Sequence, residues 1–220
     1  MNSVLVTGCS SGIGLCIAEG LKAAGYRVFA TARKQDDVDN LKSKGFDATQ
    51  LDLTDSESIH AAVDWLLNCI DGKIFGLVNN AAYGLTGAIE DLNREVIQQQ
   101  FETNVIGTQE LTNLLIPVMR RQGEGRIIQI SSMLGFVTMK FRGAYCATKY
   151  ALESLSDAMR YELSGTGIYI SLIEPGPITS EFRTNALSNF NSNIDKTQSA
   201  YKKEYEKIER EMNAAEYTIP

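Results

Sequence analysis

One histidine, His60, is all the imidazole in this chain of 220 residues. A histidine-dependent triad or a multi-histidine metal site is therefore all but excluded. His60 lies beside acidic residues early in a predicted helix, which suits a solvent-exposed place. Cysteine is scarce as well. Cys9, Cys16, Cys69 and Cys146 show no CxxC or CxxH spacing, which leaves reduced thiols of a cytoplasmic protein, packed as small core fillers. No apolar run approaches the roughly 20 residues of a membrane span. Strand-like sequence begins at Ser3, where a signal peptide would still be in its leader. Positive charge is in deficit: the net charge is -6 and the pI about 5.0, which argues against a nucleic-acid-binding surface. What remains is ordinary. Hydrophobic residues make 44% and charged residues 22%, and the length suits one α/β domain over residues 1–220 with a sizeable core.

The chain is organised around Ser131 to Lys149. A β-branched run, Arg126 to Ile130, leads into it and predicts a buried strand. Ser131 and Ser132 then stand at a strand's C-terminal end, where open α/β sheets place their chemistry. From Ala144 the apolar spacing becomes helical, so Tyr145 and Lys149, four apart, share one face. A free phenol, with a pKa of about 10, is a poor base near neutrality. A nearby ammonium favours the phenolate and is expected to lower that pKa. Such a tyrosine can exchange a proton with a substrate oxygen, and Ser132 can hydrogen-bond the same oxygen. Taken alone, the pair also reads as an ordinary exposed helix pair.

Ser3 to Val6 predicts a first strand, followed by Thr7-Gly8-Cys9-Ser10-Ser11-Gly12-Ile13-Gly14 and an apolar helical pattern. Strand, glycine turn and helix together can cradle a pyrophosphate on backbone N–H groups, although a plain tight turn has the same look. Arg27 to Thr31 predicts the second strand. No acid stands at its tip for a ribose 2′-hydroxyl; Arg33 and Lys34 stand there instead and suit the 2′-phosphate of NADP(H). Asp47 to Leu53 predicts the third strand, with Asp52 placed either to accept from an adenine amino group or to help cap the next helix. A helix over Ser56 to Ile70 and a strand over Lys73 to Val78 follow, then Asn79-Asn80-Ala81-Ala82. One long helix is predicted from about Leu92 to Arg121, with Asn104 disturbing its hydrogen bonding and freeing a carbonyl for water. Ile168 to Ile173 predicts the sixth strand, and Pro175 and Pro177 stiffen the turn after it. Glu181 to Asn193 reads as an irregular polar lid, and Gln198 to Tyr217 as a charged helix with Tyr201, Tyr205, Ile208 and Met212 as its stripe. Residues 181–217 together read as a substrate lid.

Taken together, these motifs resemble the short-chain dehydrogenase/reductase family over nearly the whole chain, and within it the 17β-hydroxysteroid and retinol dehydrogenase-like branch. Thr7-Gly8-(x)3-Gly12-Ile13-Gly14 matches the family's cofactor loop. Asn79-Asn80-Ala81 matches its strand-four motif, with Ala82 where glycine is usual, a departure that bears on the nicotinamide pocket. Ser132, Tyr145 and Lys149 match its Ser and Tyr-x-x-x-Lys, and Asn104 its helix asparagine. The resemblance implies a Rossmann-type doubly wound parallel sheet, order 3-2-1-4-5-6, with helices on both faces and a seventh strand that would fall after Pro220. It implies a cofactor held by Gly8, Ser10, Ser11, Gly12, Ile13, Gly14, Arg33, Asp52, Asn80 and Ala81, then by Tyr145, Lys149, Pro175, Gly176, Ile178 and Ser180.

The implied reaction interconverts a small lipophilic ketone or aldehyde and its alcohol with NADP(H). Tyr145 is the general acid/base, Lys149 tunes it and holds the nicotinamide ribose, Ser132 polarises the carbonyl, and Asn104 holds a water that links Lys149 to solvent. The long helices around Asn104 and Tyr145 suit packing against a second copy, as homodimer or homotetramer. Two rival readings keep the same fold: a non-catalytic NADP-binding sensor or scaffold, and a sugar-nucleotide epimerase or dehydratase.

Overall fold

The computed structural model describes residues 1–70, 73–178 and 180–213, the side chains of 211–213 excepted. Thr179, the side chain of Met212, and Tyr217 at the end of the expected helix lie outside the described residues. Six strands form one sheet in the order β3-β2-β1-β4-β5-β6, and every pairing is parallel. They are β1 (Ser3–Val6), β2 (Arg27–Ala32), β3 (Asp47–Gln50), β4 (Gly76–Asn79), β5 (Gly125–Ile130) and β6 (Ile168–Ile173). The helices are α1 (Gly12–Ala23), α2 (Gln35–Ser43), α3 (Ser56–Cys69), α4 (Arg94–Phe101), α5 (Gly107–Gln122), α6 (Gly143–Glu162), α7 (Phe182–Asn193) and α8 (Lys202–Asn213). This is the doubly wound sheet the sequence implied. No seventh strand occurs among the described residues.

Alternation along the strands feeds two cores. Val4, Val6, Val28 and Ala30 point to the face covered by Ala18 of α1 and by Val38 and Leu41 of α2. Leu5, Phe29, Leu77 and Ile127 point to the other face, against Ile59 and Leu66 of α3 and Leu111 and Leu115 of α5. Burial on both faces is why β1 and β4, at the centre of the sheet, are buried throughout, whereas β3 and β6 at its edges carry exposed residues. Among the described residues no helix is long and apolar enough to cross a membrane.

The structure departs from the sequence reading in four places. The single helix expected over 92–121 is broken by a π-helical turn, Glu102–Ile106, between α4 and α5. There the Gly107 N–H bonds the Glu102 carbonyl, five residues back. Two constraints meet at that turn. A Cβ on Gly107 would come within 1.8 Å of the Leu53 carbonyl oxygen, and Asn104 is drawn to the backbone of Tyr83. Second, 181–193 is not irregular: it forms α7. Its sequence has little apolar periodicity, but Ala186 and Phe190, four apart, are buried, and Phe190 enters a third core with Leu85, Leu92, Val96 and Tyr205. Tertiary packing supplies what propensity does not. Third, β3 stops at Gln50, because Asp52 turns aside to accept from the N–H and hydroxyl of Thr54. Fourth, β4 starts only at Gly76. Of the thiols, Cys9 and Cys146 are buried, but Cys16 is exposed and fills no core.

Tyr205 fastens α8 to the rest of the fold. Its hydroxyl donates to the Asp91 carboxylate and accepts the Ala88 N–H at 2.8 Å. Ser199 donates to the same carboxylate at 2.6 Å. The ring is fully buried, edge-on to Phe190 and Phe141.

Candidate active site

A cleft of about 1470 Å³ runs from the turn after β1 to α7. Its floor is the β1–α1 turn. Gly8 has φ +69°, and a Cβ there would stand 2.9 Å from Ala81 Cα. Gly14 is tighter still, since a Cβ would lie 2.2 Å from the Gly8 carbonyl oxygen and 2.4 Å from Asn80 Nδ2. Glycine is required at both positions, by backbone conformation at Gly8 and by close approach at Gly14. Thr7 and Asn80 lace the turn to the end of β4. The Thr7 hydroxyl accepts from the N–H groups of Asn80 and Ala81, both at 2.9 Å. Asn80 Nδ2 donates to the carbonyls of Thr7 at 2.9 Å and Gly8 at 3.0 Å. Ser11, extended and at the N-cap of α1, makes no side-chain cap bond. Its hydroxyl and the first N–H groups of α1 are left for an anion.

β5 delivers Ser132 to the middle of the cleft, where its Oγ accepts from the Leu134 N–H at 3.1 Å and keeps its own proton to donate. α6 presents Tyr145 and Lys149 on one face, both buried. The lysine Nζ lies 5.7 Å from the tyrosine ring centroid and donates to the Ile130 carbonyl at 2.7 Å. An ammonium has three donors, so two remain. Burial pushes the Tyr145 phenol up to about 12, with the facing Ser132 hydroxyl pulling the other way. Burial also brings Lys149 down to about 8, against the charge of Glu153 one turn further on. The phenol was expected to be lowered by the lysine. Burial decides it instead and keeps the phenol protonated, and the nearby cation that pulls it down is Arg142 rather than the lysine.

Asn104 does not line the cleft. It is buried in the π-turn, accepting from the Tyr83 N–H at 3.1 Å and donating to the Tyr83 carbonyl at 3.0 Å and the Thr148 hydroxyl at 3.1 Å. Gly14 also sits behind the cleft surface. The other anticipated residues reach it. Ser10, Ser11, Gly12 and Ile13 line the turn; Arg33 and Asp52 line the far end; Pro175, Gly176, Ile178 and Ser180 close it beyond β6. Arg33 is exposed, with its carbonyl held by Gln50 at 2.8 Å. The cap of α3 is Asp55, which accepts from the Glu57 N–H; Asp52 is left at the cleft with one oxygen on Thr54. The Pro175 carbonyl ties the two upper loops together by accepting from the Met133 N–H at 3.2 Å.

A glycine turn under a Ser, Tyr and Lys on a sheet of this order is the pattern of one family, and residues 2–190 match its model, described as short chain dehydrogenase. The chain belongs to the short-chain dehydrogenase family. It is 47% identical over 183 residues to the uncharacterized oxidoreductase YbbO of Escherichia coli, covering 83% of this chain and 68% of that protein. It is 37% identical over 196 residues to human retinol dehydrogenase 8, covering 84% and 62%. Among solved structures it resembles a variant of actinorhodin polyketide ketoreductase with NADPH, at 29% identity and TM-score 0.79 over 94% of this chain and 81% of that one. It also resembles the 3-ketoacyl-(acyl-carrier-protein) reductase of Brucella melitensis with NADH, at 26% and 0.79 over 84% and 78%. The chain thus spans about two thirds or less of the lengths of the two relatives.

The cleft of this short-chain dehydrogenase fits a nicotinamide dinucleotide. The glycine turn at Gly8, an uncapped helix start, and spare donors on Ser11 and Lys149 all face one channel. Sequence reasoning missed Thr7, which ties the β1 and β4 loops, and Thr148, which fixes Asn104. It missed Tyr83 and Arg142 as well. The available signal was position: Thr148 adjoins Lys149, and Arg142 stands one turn before Tyr145.

Proposed function

We propose that this chain is an NADP(H)-dependent oxidoreductase that interconverts a ketone or aldehyde and its alcohol. The observation that carries the reading is the buried Tyr145 phenol, protonated at neutral pH, between the Ser132 hydroxyl and Lys149. When bound, the dinucleotide supplies or accepts the hydride. The protein does the rest. Ser132 donates to the substrate oxygen and fixes its direction. Tyr145 gives that oxygen its proton in reduction and takes it back in oxidation; a phenol held near 12 is still a stronger acid than an alcohol. Lys149, pinned by Ile130, turns its two free donors to the ribose. Asn104 holds the loop of Tyr83 at the cleft's edge and, through Thr148, the turn of α6 that carries the lysine. A non-catalytic sensor would have no use for this buried, costly polar set.

Arg33 supports NADP(H) rather than NAD(H): it is exposed at the tip of β2, has no ion-pair partner among the described residues, and can grip a 2′-phosphate. Oxidation of NADPH, followed by its absorbance over a ketone panel, is the test. NADPH is expected to outperform NADH by about tenfold or more in kcat/KM, and Arg33→Glu to reverse that order, since a lost charge-assisted contact is worth about 1.5–3 kcal/mol. Equal use of both cofactors by the unaltered protein would refute the preference. A panel with no turnover would refute the activity.

A second copy of the chain is the proposed partner. Ile106 is half exposed beside Val105, Leu114 and Leu155 in a shallow groove on α5 and α6, which suits a self-complementary helical contact. Sedimentation is expected to give a dimer or tetramer, and a monomer at micromolar concentration removes the idea. The free thiols, with Cys16 exposed, fit a cytoplasmic location.

A further inference from the structure

Two arginines in the cleft serve none of the roles above. Arg142 immediately precedes α6, three residues before Tyr145. Its Nη1 donates to the Thr86 hydroxyl. Arg183 is the second residue of α7 and lines the same cleft. It follows Phe182, whose ring meets that of Tyr145 edge-on at 5.7 Å. Nη1 of Arg183 is buried and has no hydrogen-bond partner. Among the described residues neither guanidinium takes part in an ion pair. Glu95 and Glu181 line the cleft too, and neither pairs with them.

Burial disfavours the charge on Arg142, and the charge of Arg183 adds to that; no carboxylate is among the groups that offset it. Two like charges left unneutralised in a partly desolvated wall are costly. They become favourable once an anion sits between them, and guanidinium forks match carboxylate and phosphate oxygens two at a time. The cleft face of α7 is polar rather than greasy beyond this point: Asn185, Asn189 and Asn193, four apart, all line it. Apolar side chains line the rest of the approach to Tyr145, among them Leu85, Val96, Leu134, Met139 and Phe182.

We propose that Arg142 and Arg183 form an anion clamp. The substrate is a carbonyl compound, or its alcohol, that carries a carboxylate or phosphate held by the two arginines while its oxygen faces Tyr145. This rests on the proposed activity and narrows it: a purely lipophilic substrate would leave both charges unmet, whereas an oxo acid keeps an apolar stretch and adds the charged end.

Matched pairs test it: levulinate against methyl levulinate, and dihydroxyacetone phosphate against dihydroxyacetone, each with NADPH. The unaltered protein is expected to prefer the anion of at least one pair by about tenfold or more in kcat/KM, the scale of one charge-assisted contact. The pair that discriminates identifies carboxylate or phosphate. Arg183→Gln is expected to bring the ratio to within about threefold of one, through KM rather than kcat, while Arg183→Lys keeps part of the preference. Arg142→Gln is the second variant; should it not fold, Arg183→Gln carries the test alone. Preference for the neutral partner of both pairs overturns the clamp, as does an Arg183→Gln variant that loses both partners equally or binds NADPH more weakly. Thermal melting of the NADPH-loaded protein reads the clamp apart from turnover. A rise in Tm with an anion and not with its neutral partner supports it even if no ketone is reduced, which would sink the proposed activity alone. No rise with either anion, joined to no preference, removes the clamp and leaves the activity standing.

Discussion

Tyr145→Phe is expected to remove turnover and spare cofactor binding. In the proposed reaction the phenol is the group that protonates the substrate oxygen. Burial holds it at about 12, so it is fully protonated across the physiological range and ready as a donor. Ser132 can orient the oxygen, but an aliphatic hydroxyl is a far weaker acid than a phenol. Lys149 has one donor committed to the Ile130 carbonyl and reaches no nearer than 5.7 Å to the tyrosine ring centre. Phenylalanine keeps the ring, its edge contact with Phe182 and its place in α6. A loss of about 10³-fold in kcat is expected, within the range that general acid catalysis supplies, with the NADPH dissociation constant within about threefold of the original. Fluorescence titration and single-turnover kinetics measure the two quantities. A variant that keeps a tenth of the rate would mean that another group moves the proton.

Lys149→Met is expected to cost the activity and raise the stability. The folded protein holds the lysine proton less tightly than the unfolded chain does, about 8 against 10.5. Between those two values the unfolded state binds the extra proton, so stability rises with pH across that window. Below pH 8 both states are protonated and the full cost of burying the ammonium is present. At 1.36 kcal/mol for each pKa unit, that cost is about 3 kcal/mol. Methionine keeps an unbranched chain of similar reach without charge. It forfeits the bond to the Ile130 carbonyl, worth about 1 kcal/mol. The net gain at pH 7 is then about 2 kcal/mol, a rise in Tm of about 4–8 °C for a domain of this size. Melting curves from pH 7 to 10 check it. The advantage should shrink as pH rises toward 10.5, and a methionine variant that is less stable at pH 7 contradicts the account. Gains of this kind are expected where a site is kept for chemistry rather than for packing.

Both predictions depend on residues the sequence already placed. Tyr145 and Lys149 are legible because helical spacing puts them on one face, and Ser132 because an apolar run ends just before it. The sheet is legible for a similar reason: its central strands β1 and β4 are buried on both faces, so they appear as short apolar runs followed by glycine or asparagine turns. The protonation of the tyrosine is not legible in that way. Whether the ammonium or burial decides the phenol depends on how much wall stands around it, and that wall comes from α7. α7 itself could not be read from its residues, since Asn185, Asn189 and Asn193 are poor helix formers and its two buried anchors, Ala186 and Phe190, have meaning only against Tyr205. The π-turn was half visible: Asn104 flagged a disturbed helix, but the close approach of Gly107 to Leu53 joins residues 54 positions apart. Arg142 and Arg183 look like surface charge in the sequence, because pairing, or the want of it, is a property of the folded neighbourhood.

The bond from Tyr205 to Asp91 has a consequence for how anything gets in or out. α8 is moored by this bond to the segment around Ala88 and Asp91, which lies in the chain between Leu85 and Glu95 of the cleft wall. Parting α8 from that segment must break a buried phenol–carboxylate bond. Beside Tyr145 the closure is of a weaker kind, a ring edge of Phe182 standing over Gly84.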